Sequence, residues 1–215
     1  MSDPFPAPAP LRLGDSAPNF TARTTKGEVS LADYRGRWLV FFTHPADFTP
    51  VCTSEFVAFA KAAEAFAALD CALLGLSVDS LFSHLAWVRL IHDRFGVDIE
   101  FPIIEDPTLE IAKAYGMVPH DAVDASTVRT TMILDPNGIV RASTTYPAEV
   151  GRSIPEILRT VQALRRIQDG GILAPADWIP GADLLREPVQ DLKGVLEAEA
   201  ASDWFYTVVP DHAPS

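Results

Sequence analysis

In this chain of 215 residues, the order Thr49-Pro50-Val51-Cys52 is where residue types most directly suggest chemistry. The thiolate is the reactive form of cysteine, and a free thiol, with a pKa of about 8.5, shifts toward it at a helix N-terminus or beside a cation. Threonine is a favoured N-cap and proline a favoured first helical residue. The spacing therefore predicts a helix beginning here, with Cys52 in its first turn. Unpaired backbone N–H groups and the helix dipole favour negative charge at that position. The Thr49 hydroxyl, three residues back, could hydrogen-bond the sulfur or a polar substrate, or simply cap the helix. Cysteine is also among the most buried residue types, so local physics leaves a reactive thiol and a core thiol both open.

Positioning Cys52 requires a scaffold, and the hydrophobic pattern supplies an alternating one. The unbroken apolar run Trp38–Phe42 reads as a buried strand, followed by a helix over Thr49–Leu69 with Phe56, Phe59, Ala60, Ala63 and Phe66 at helical spacing. Cys71–Val78 reads as a second buried strand. Ser80 then caps a helix with Leu81, Leu85, Val88 and Ile91 on one stripe, ended by Gly96. Phe101–Ile104 is a third strand and Pro107–Tyr115 a short helix. Two β-rich runs flank Asp135-Pro136-Asn137-Gly138, a tight-turn sequence that predicts a β-hairpin. Ile154, Ile157, Leu158, Val161, Leu164 and Ile167 mark a strongly periodic helix closed by Gly170-Gly171. A βαβ unit, a hairpin and a packing helix, in that order, predict an α/β thioredoxin-like fold with a C-terminal extension. Residues 1–10 form a Pro-rich arm, 11–170 the thioredoxin-like domain and 171–215 the extension. Prolines predict an irregular tail after about Ile172, with an apolar strand candidate at Trp204–Val209 that needs burial.

Composition removes several function classes. With 48 % hydrophobic and 21 % charged residues the chain has the make-up of a soluble globular protein. A net charge of -12 argues against a nucleic-acid partner, which would call for clustered Lys and Arg. Apolar runs fall well short of the ~18 residues of a membrane span. The first ten residues lack the pattern of a signal peptide. Two cysteines do not make a disulfide framework, and their scarcity fits a reducing compartment, so a cytoplasmic location is expected.

The string "PADFTPVC" matches the Pro-x-x-x-Thr-x-x-Cys signature of peroxiredoxins through Pro45, Thr49 and Cys52, and the longer "HPADFTPVCTSE" resembles their one-cysteine subfamily. "HLAWV" (His84–Val88), "YPAEVGRS" (Tyr146–Ser153) and "PADWIPGAD" (Pro175–Asp183) follow in matching order. The resemblance thus covers nearly all of the chain after about Leu11. It implies that the Cys52 thiolate attacks a hydroperoxide and becomes a sulfenic acid. Thr49 would hydrogen-bond thiolate and peroxide, and Pro45 would shield the sulfur from water. Arg129 matches an arginine beside the cysteine that would stabilise thiolate and leaving oxygen, and Arg152 a second arginine around the pocket. His44 occupies a subfamily position near the active site with its role open. Glu55 could orient an arginine or serve only as a first-turn acid.

Cys71 lies nineteen positions after Cys52, not where the family places a resolving cysteine, and reads as a structural buried thiol. The resemblance therefore implies a one-cysteine enzyme, without a cofactor, whose sulfenic acid is reduced by an external thiol: glutathione, a thioredoxin-like protein or another small reductant. It also implies a homodimer, with C-terminal extensions reaching across to the partner, that could associate further. Some subfamily members carry a Gly-x-Ser-x-Gly element, which "DYRGRWLV" lacks, so phospholipase activity does not carry over. A disulfide oxidoreductase would want a Cys-x-x-Cys pair, whereas Thr49 and Glu55 occupy the partner positions. A peroxide sensor or oligomeric chaperone using the same cysteine remains as an added role. The five histidines (His44, His84, His92, His120, His212) show no Cys/His ligand spacing, and no metal site is expected.

Overall fold

A computed structural model of the chain describes residues 11–118, 128–198 and 204–211. The Pro-rich arm, residues 119–127 with His120, and His212 lie outside the described residues. Contacts divide the chain into two compact units, Met1–Ile154 and Pro155–Ser215.

The first unit opens with a hairpin of β1 (Thr21–Thr24) and β2 (Gly27–Ser30), which the sequence pattern did not reveal. β3 (Trp38–Thr43) follows, then α1 (Pro50–Ala68), β4 (Cys71–Ser77), α2 (Leu81–Phe95), β5 (Ile103–Glu105) and α3 (Glu110–Ala114). The predicted hairpin is present as β6 (Arg129–Leu134) and β7 (Val140–Tyr146). These seven strands form one sheet in the order β2-β1-β5-β4-β3-β6-β7. β3, β4 and β5 run parallel, and the outer strands are antiparallel. The expectation of an α/β thioredoxin-like architecture holds.

Every residue of β3 and β4 is buried, which is why both read as continuous apolar runs rather than alternating ones. Alternate side chains still go to opposite faces. Phe42 stacks on Phe59 of α1 at 4.3 Å between centroids and meets Phe56 edge-on at 5.6 Å. Phe41, on the other face, meets Tyr115 edge-on at 5.0 Å within a cluster that holds Leu39, Leu74, Leu76, Met132 and Leu134. Each such fully buried aromatic contributes about 1.5–3 kcal/mol, and α1 is thereby pinned along the strand that leads into it.

The predicted ends of α2 are correct: the Ser80 hydroxyl accepts from Ser83 N, and Gly96 closes the helix at φ 64°. Its predicted stripe is correct only in part: Ile91 is buried and Leu81 and Val88 are half-buried. Leu85 is 44 % exposed, and the buried face carries His84, Trp87 and Ile91. A histidine displaces a leucine from the interior because its ring nitrogens find buried partners, described below.

The second unit contains α4 (Ile154–Arg166), whose first residue ends the first unit, and a small sheet in place of the irregular tail expected. β8 (Ile172–Leu173), β9 (Leu184–Arg186) and β10 (Val208–Val209) make this antiparallel sheet with β9 in the centre. A short α5 (Leu192–Glu197) is capped by Asp191, whose carboxylate accepts from Gly194 N at 2.9 Å. Arg159 holds Glu156 through two hydrogen bonds and donates to the Trp178 carbonyl at 3.0 Å, and Arg166 pairs with Asp211 at 2.9 Å. No helix among the described residues is long and apolar enough to cross a membrane.

Candidate active site

Topology brings the candidate residues to one end of the sheet. β3 ends at Thr43, a loop carries His44 to Thr49, and α1 starts at Pro50, so Cys52 stands in the first helical turn as the spacing predicts. β6 runs antiparallel to β3 and pairs Phe42 with Thr131. Its opening residue, Arg129, therefore lies beside the end of β3, where α1 begins. Arg152 lies between β7 and α4 and comes back to the same place.

Cys52 is fully buried and Arg129 is 2 % exposed. Arg129 Nη1 donates to Cys52 Sγ at 3.3 Å and to Glu55 Oε2 at 2.8 Å. Its Nε and Nη2 both donate to the Ala148 carbonyl, at 3.0 and 2.6 Å. The guanidinium is thus held on two sides, and the remaining donor faces the sulfur. Glu55 sits one helical turn after Cys52 and is 2 % exposed. It also accepts from Arg152: the backbone N and Nε reach Oε1 at 2.7 and 2.9 Å, and Nη2 reaches Oε2 at 2.7 Å. Arg152 continues to the Thr130 carbonyl and the Thr131 hydroxyl, and its guanidinium lies 5.0 Å from the centre of the Phe42 ring.

Two arginines and one glutamate leave a net positive charge at a buried thiol. Burial alone pushes the Glu55 carboxyl upward, but the hydrogen bonds and charge of Arg152, with the charge of Arg129, outweigh it and hold the group below its ordinary value. Positive charge against the sulfur and the first-turn N–H groups of α1 together make an environment suited to a thiolate and to an oxyanion forming beside it. Glu55 is the residue whose part the sequence left divided between orienting an arginine and complementing the helix dipole. The structure shows it gripping both arginines.

One alternative left open for Thr49, side-chain capping, falls away. Thr49 is the N-cap of α1, but its side chain makes no capping bond. Its hydroxyl donates to the Ala46 carbonyl at 2.9 Å, closing the loop on itself. His44 is fully buried in a polar cluster: Nε2 lies 2.9 Å from Asp47 Oδ1, and the ring stacks on Trp87 at 5.2 Å. Pro45 is partly buried within the same loop. Sequence spacing missed Asp47, which joins His44 to His84, because 40 residues separate the two histidines. Cys71 opens β4 at the opposite end of the βα unit: β3 and β4 pair Trp38 with Cys71 and Thr43 with Leu76.

A family model described as AhpC/TSA matches residues 13–143. A peroxiredoxin of Thermoplasma volcanium is 49 % identical over 81 % of this chain and 85 % of its own length. The chain belongs to the AhpC/TSA family, the peroxiredoxins. Among solved structures, the yeast mitochondrial 1-Cys peroxiredoxin aligns with a TM-score of 0.79 and 37 % identity, covering 86 % of this chain and 92 % of the other. A cysteine-to-serine mutant of peroxiredoxin 6 from Arenicola marina aligns with a TM-score of 0.83 and 30 % identity, over 95 % of this chain and all of that one. This peroxiredoxin is accordingly a thiol-dependent peroxidase, acting on peroxides at the expense of thiols.

Proposed function

We propose that this peroxiredoxin reduces hydrogen peroxide and organic hydroperoxides by a one-cysteine mechanism centred on Cys52. The Cys52 thiolate attacks the terminal peroxide oxygen. An S–O bond forms as the O–O bond breaks, and the leaving oxygen departs as water or alcohol after taking a proton. Arg129 stabilises the thiolate and the charge growing on that oxygen. Thr49 and Arg152 line the peroxide position, Pro45 shields the sulfur from water, and His44 forms part of the wall.

The observation that carries this reading is the Arg129 Nη1 to Cys52 Sγ hydrogen bond of 3.3 Å at the first turn of α1. Support for a single working cysteine comes from the other thiol. Cys71 is separated from the site by the length of β4, roughly 20 Å at ~3.3 Å per residue. A disulfide needs Cα atoms within about 7 Å, and these are the only two cysteines in the chain. The sulfenic acid is therefore reduced from outside. One thiol attacks the sulfur and releases water to form a mixed disulfide, and a second thiol displaces Cys52. Glutathione, a thioredoxin-like protein or another small thiol fills that role. The yeast relative's description names glutathione/thioredoxin systems for its own resolving mechanism.

The protein works in the cytoplasm as a homodimer that could assemble further, with residues 171–215 as the dimerisation extension. Exposed Phe205, Tyr206 and Val208 give that extension apolar surface to bury. A sensor or chaperone role would use the same cysteine with a different partner.

The test is hydrogen peroxide consumption with excess dithiothreitol. Cys52→Ser abolishes turnover and Cys71→Ser retains it. The opposite pattern overturns the assignment, and a panel of thiol reductants then identifies the donor.

A further inference from the structure

Beyond the two arginines, the loop that delivers Cys52 rests on a second buried network. Asp47 is 1 % exposed at its side chain, and its two oxygens point to two fully buried histidines. Oδ1 lies 2.9 Å from His44 Nε2, and Oδ2 lies 2.8 Å from His84 Nδ1. The other nitrogen of His84, Nε2, lies 3.2 Å from the Ile104 carbonyl of β5. A carbonyl only accepts, and a carboxylate only accepts. A neutral imidazole has one N–H and would turn a lone pair toward one of these oxygens.

Asp47 keeps its charge in this setting. Burial pushes its carboxyl upward, but hydrogen bonds from His44 and His84 outweigh that and hold it at about 2. His44 has its own value lowered, chiefly by burial, so it stays neutral and donates from Nε2. His84, by contrast, has an oxygen acceptor within hydrogen-bond distance of each ring nitrogen.

We infer that His84 is a doubly protonated positioning residue of this peroxidase, its imidazolium locking Asp47 and, through Asp47, the loop that presents Cys52. The inference rests on the peroxidase reading of Cys52 only for its rate measurements. Asp47 is tied at its backbone as well, since its N–H donates to Asp79 Oδ2 at 2.9 Å. The next residue, Phe48, takes a left-handed backbone at φ 56°, a conformation that a bulky residue keeps only when its neighbours fix it. Thr49 and the first turn of α1 follow at once. One turn further along α2, Trp87 Nε1 donates to Thr53 Oγ1 at 3.2 Å. The face of α2 that buries His84 therefore holds both the approach to α1 and α1 itself.

The same three side chains put ligand-type atoms within 4.8 Å of one another. The distances from Asp47 to each ring are ordinary hydrogen-bond lengths, and a proton on each facing nitrogen accounts for them. The charged and titratable groups around His84 are Asp47 from the loop and His44 from the end of β3. Beyond them lie Asp79 before α2, Glu105 of β5, which accepts from Leu81 N at 2.8 Å, and Arg152, whose charge acts on His44.

The first measurement needs no variant. In protein labelled with 15N-histidine, His84 is expected to show two protonated ring nitrogens at pH 7, and its assignment follows from the signal missing in His84→Gln. A neutral-tautomer signature, or stoichiometric zinc retained by the wild type and lost in His84→Gln, overturns the inference while leaving the peroxidase reading intact. The second measurement is the pH profile of the second-order rate with hydrogen peroxide. His84→Gln leaves Asp47 without its cation, so the carboxyl takes up a proton within the assay range. The profile gains an ionisation that is absent from the wild type and from the Asp47→Asn/His84→Gln double variant, with a rate loss of at least tenfold at pH 6. A slower His84→Gln enzyme with the wild-type profile would reduce His84 to packing and overturn the positioning role.

Discussion

Glu55 and Arg152 are joined by three hydrogen bonds of 2.7–2.9 Å, and both side chains are buried to within 2 % of full enclosure. This pairing leaves Arg129 with a donor shared between Glu55 and the Cys52 sulfur. The reactive geometry thus depends on an acid that never needs to touch the peroxide.

Removing that acid is expected to be costly twice. Glu55→Gln leaves two buried guanidinium groups without their shared counter-charge, and breaking such a pair typically costs about 3–5 kcal/mol. Urea unfolding should show that loss. Stopped-flow peroxide kinetics should slow as well, because Arg129 is no longer anchored. A Glu55→Gln enzyme of unchanged stability would contradict the account of the ion cluster.

Arginine and lysine are not interchangeable at position 129. The guanidinium bonds the Ala148 carbonyl with two nitrogens while the third faces Cys52 and Glu55, and an ammonium cannot span all three. Arg129→Lys is expected to lower the peroxide rate about 10²–10³-fold, the usual loss for an oxyanion donor. The far-ultraviolet circular dichroism should stay native. Near-wild-type kinetics would show that charge alone suffices.

Acid acts on the fold through buried groups of two kinds. The buried His44 has its value lowered, mainly by burial, so the unfolded chain binds its proton more readily. Stability from this source is complete above the ordinary histidine value near 6.5 and declines as pH falls through it. Asp47, at about 2, and Glu55, also lowered, add stability that is complete above the ordinary carboxylate range and lost as pH drops below about 4. The urea midpoint should fall between pH 5.5 and pH 3.5, with a smaller drop in Asp47→Asn. A midpoint that rises over that interval would reverse the signs assigned to the two carboxylates.

Much of the scaffold was legible because its signals are local. The Thr-Pro start of α1, the Asp135–Gly138 turn and the apolar runs of β3 and β4 each carry their own structural instruction. The β1–β2 hairpin was not, since four-residue strands of mixed composition have little periodicity. The α2 stripe went to Leu85 because hydropathy cannot see that His84 has Asp47 and the Ile104 carbonyl waiting inside. In the site, Cys52, Arg129 and Arg152 were nameable through family motifs. The grip of Glu55 on both arginines and the Asp47 bridge depend on contacts across 74–97 and 37 residues, which no spacing rule contains.

The central claim is that oxidation falls on Cys52. Treating the protein with one equivalent of hydrogen peroxide in the presence of dimedone, followed by peptide mass spectrometry, tests it most directly. The account predicts the sulfenic-acid adduct on the peptide containing Cys52, with Cys71 unlabelled, and no adduct in Cys52→Ser. An adduct on Cys71, or a Cys52–Cys71 disulfide, would contradict it.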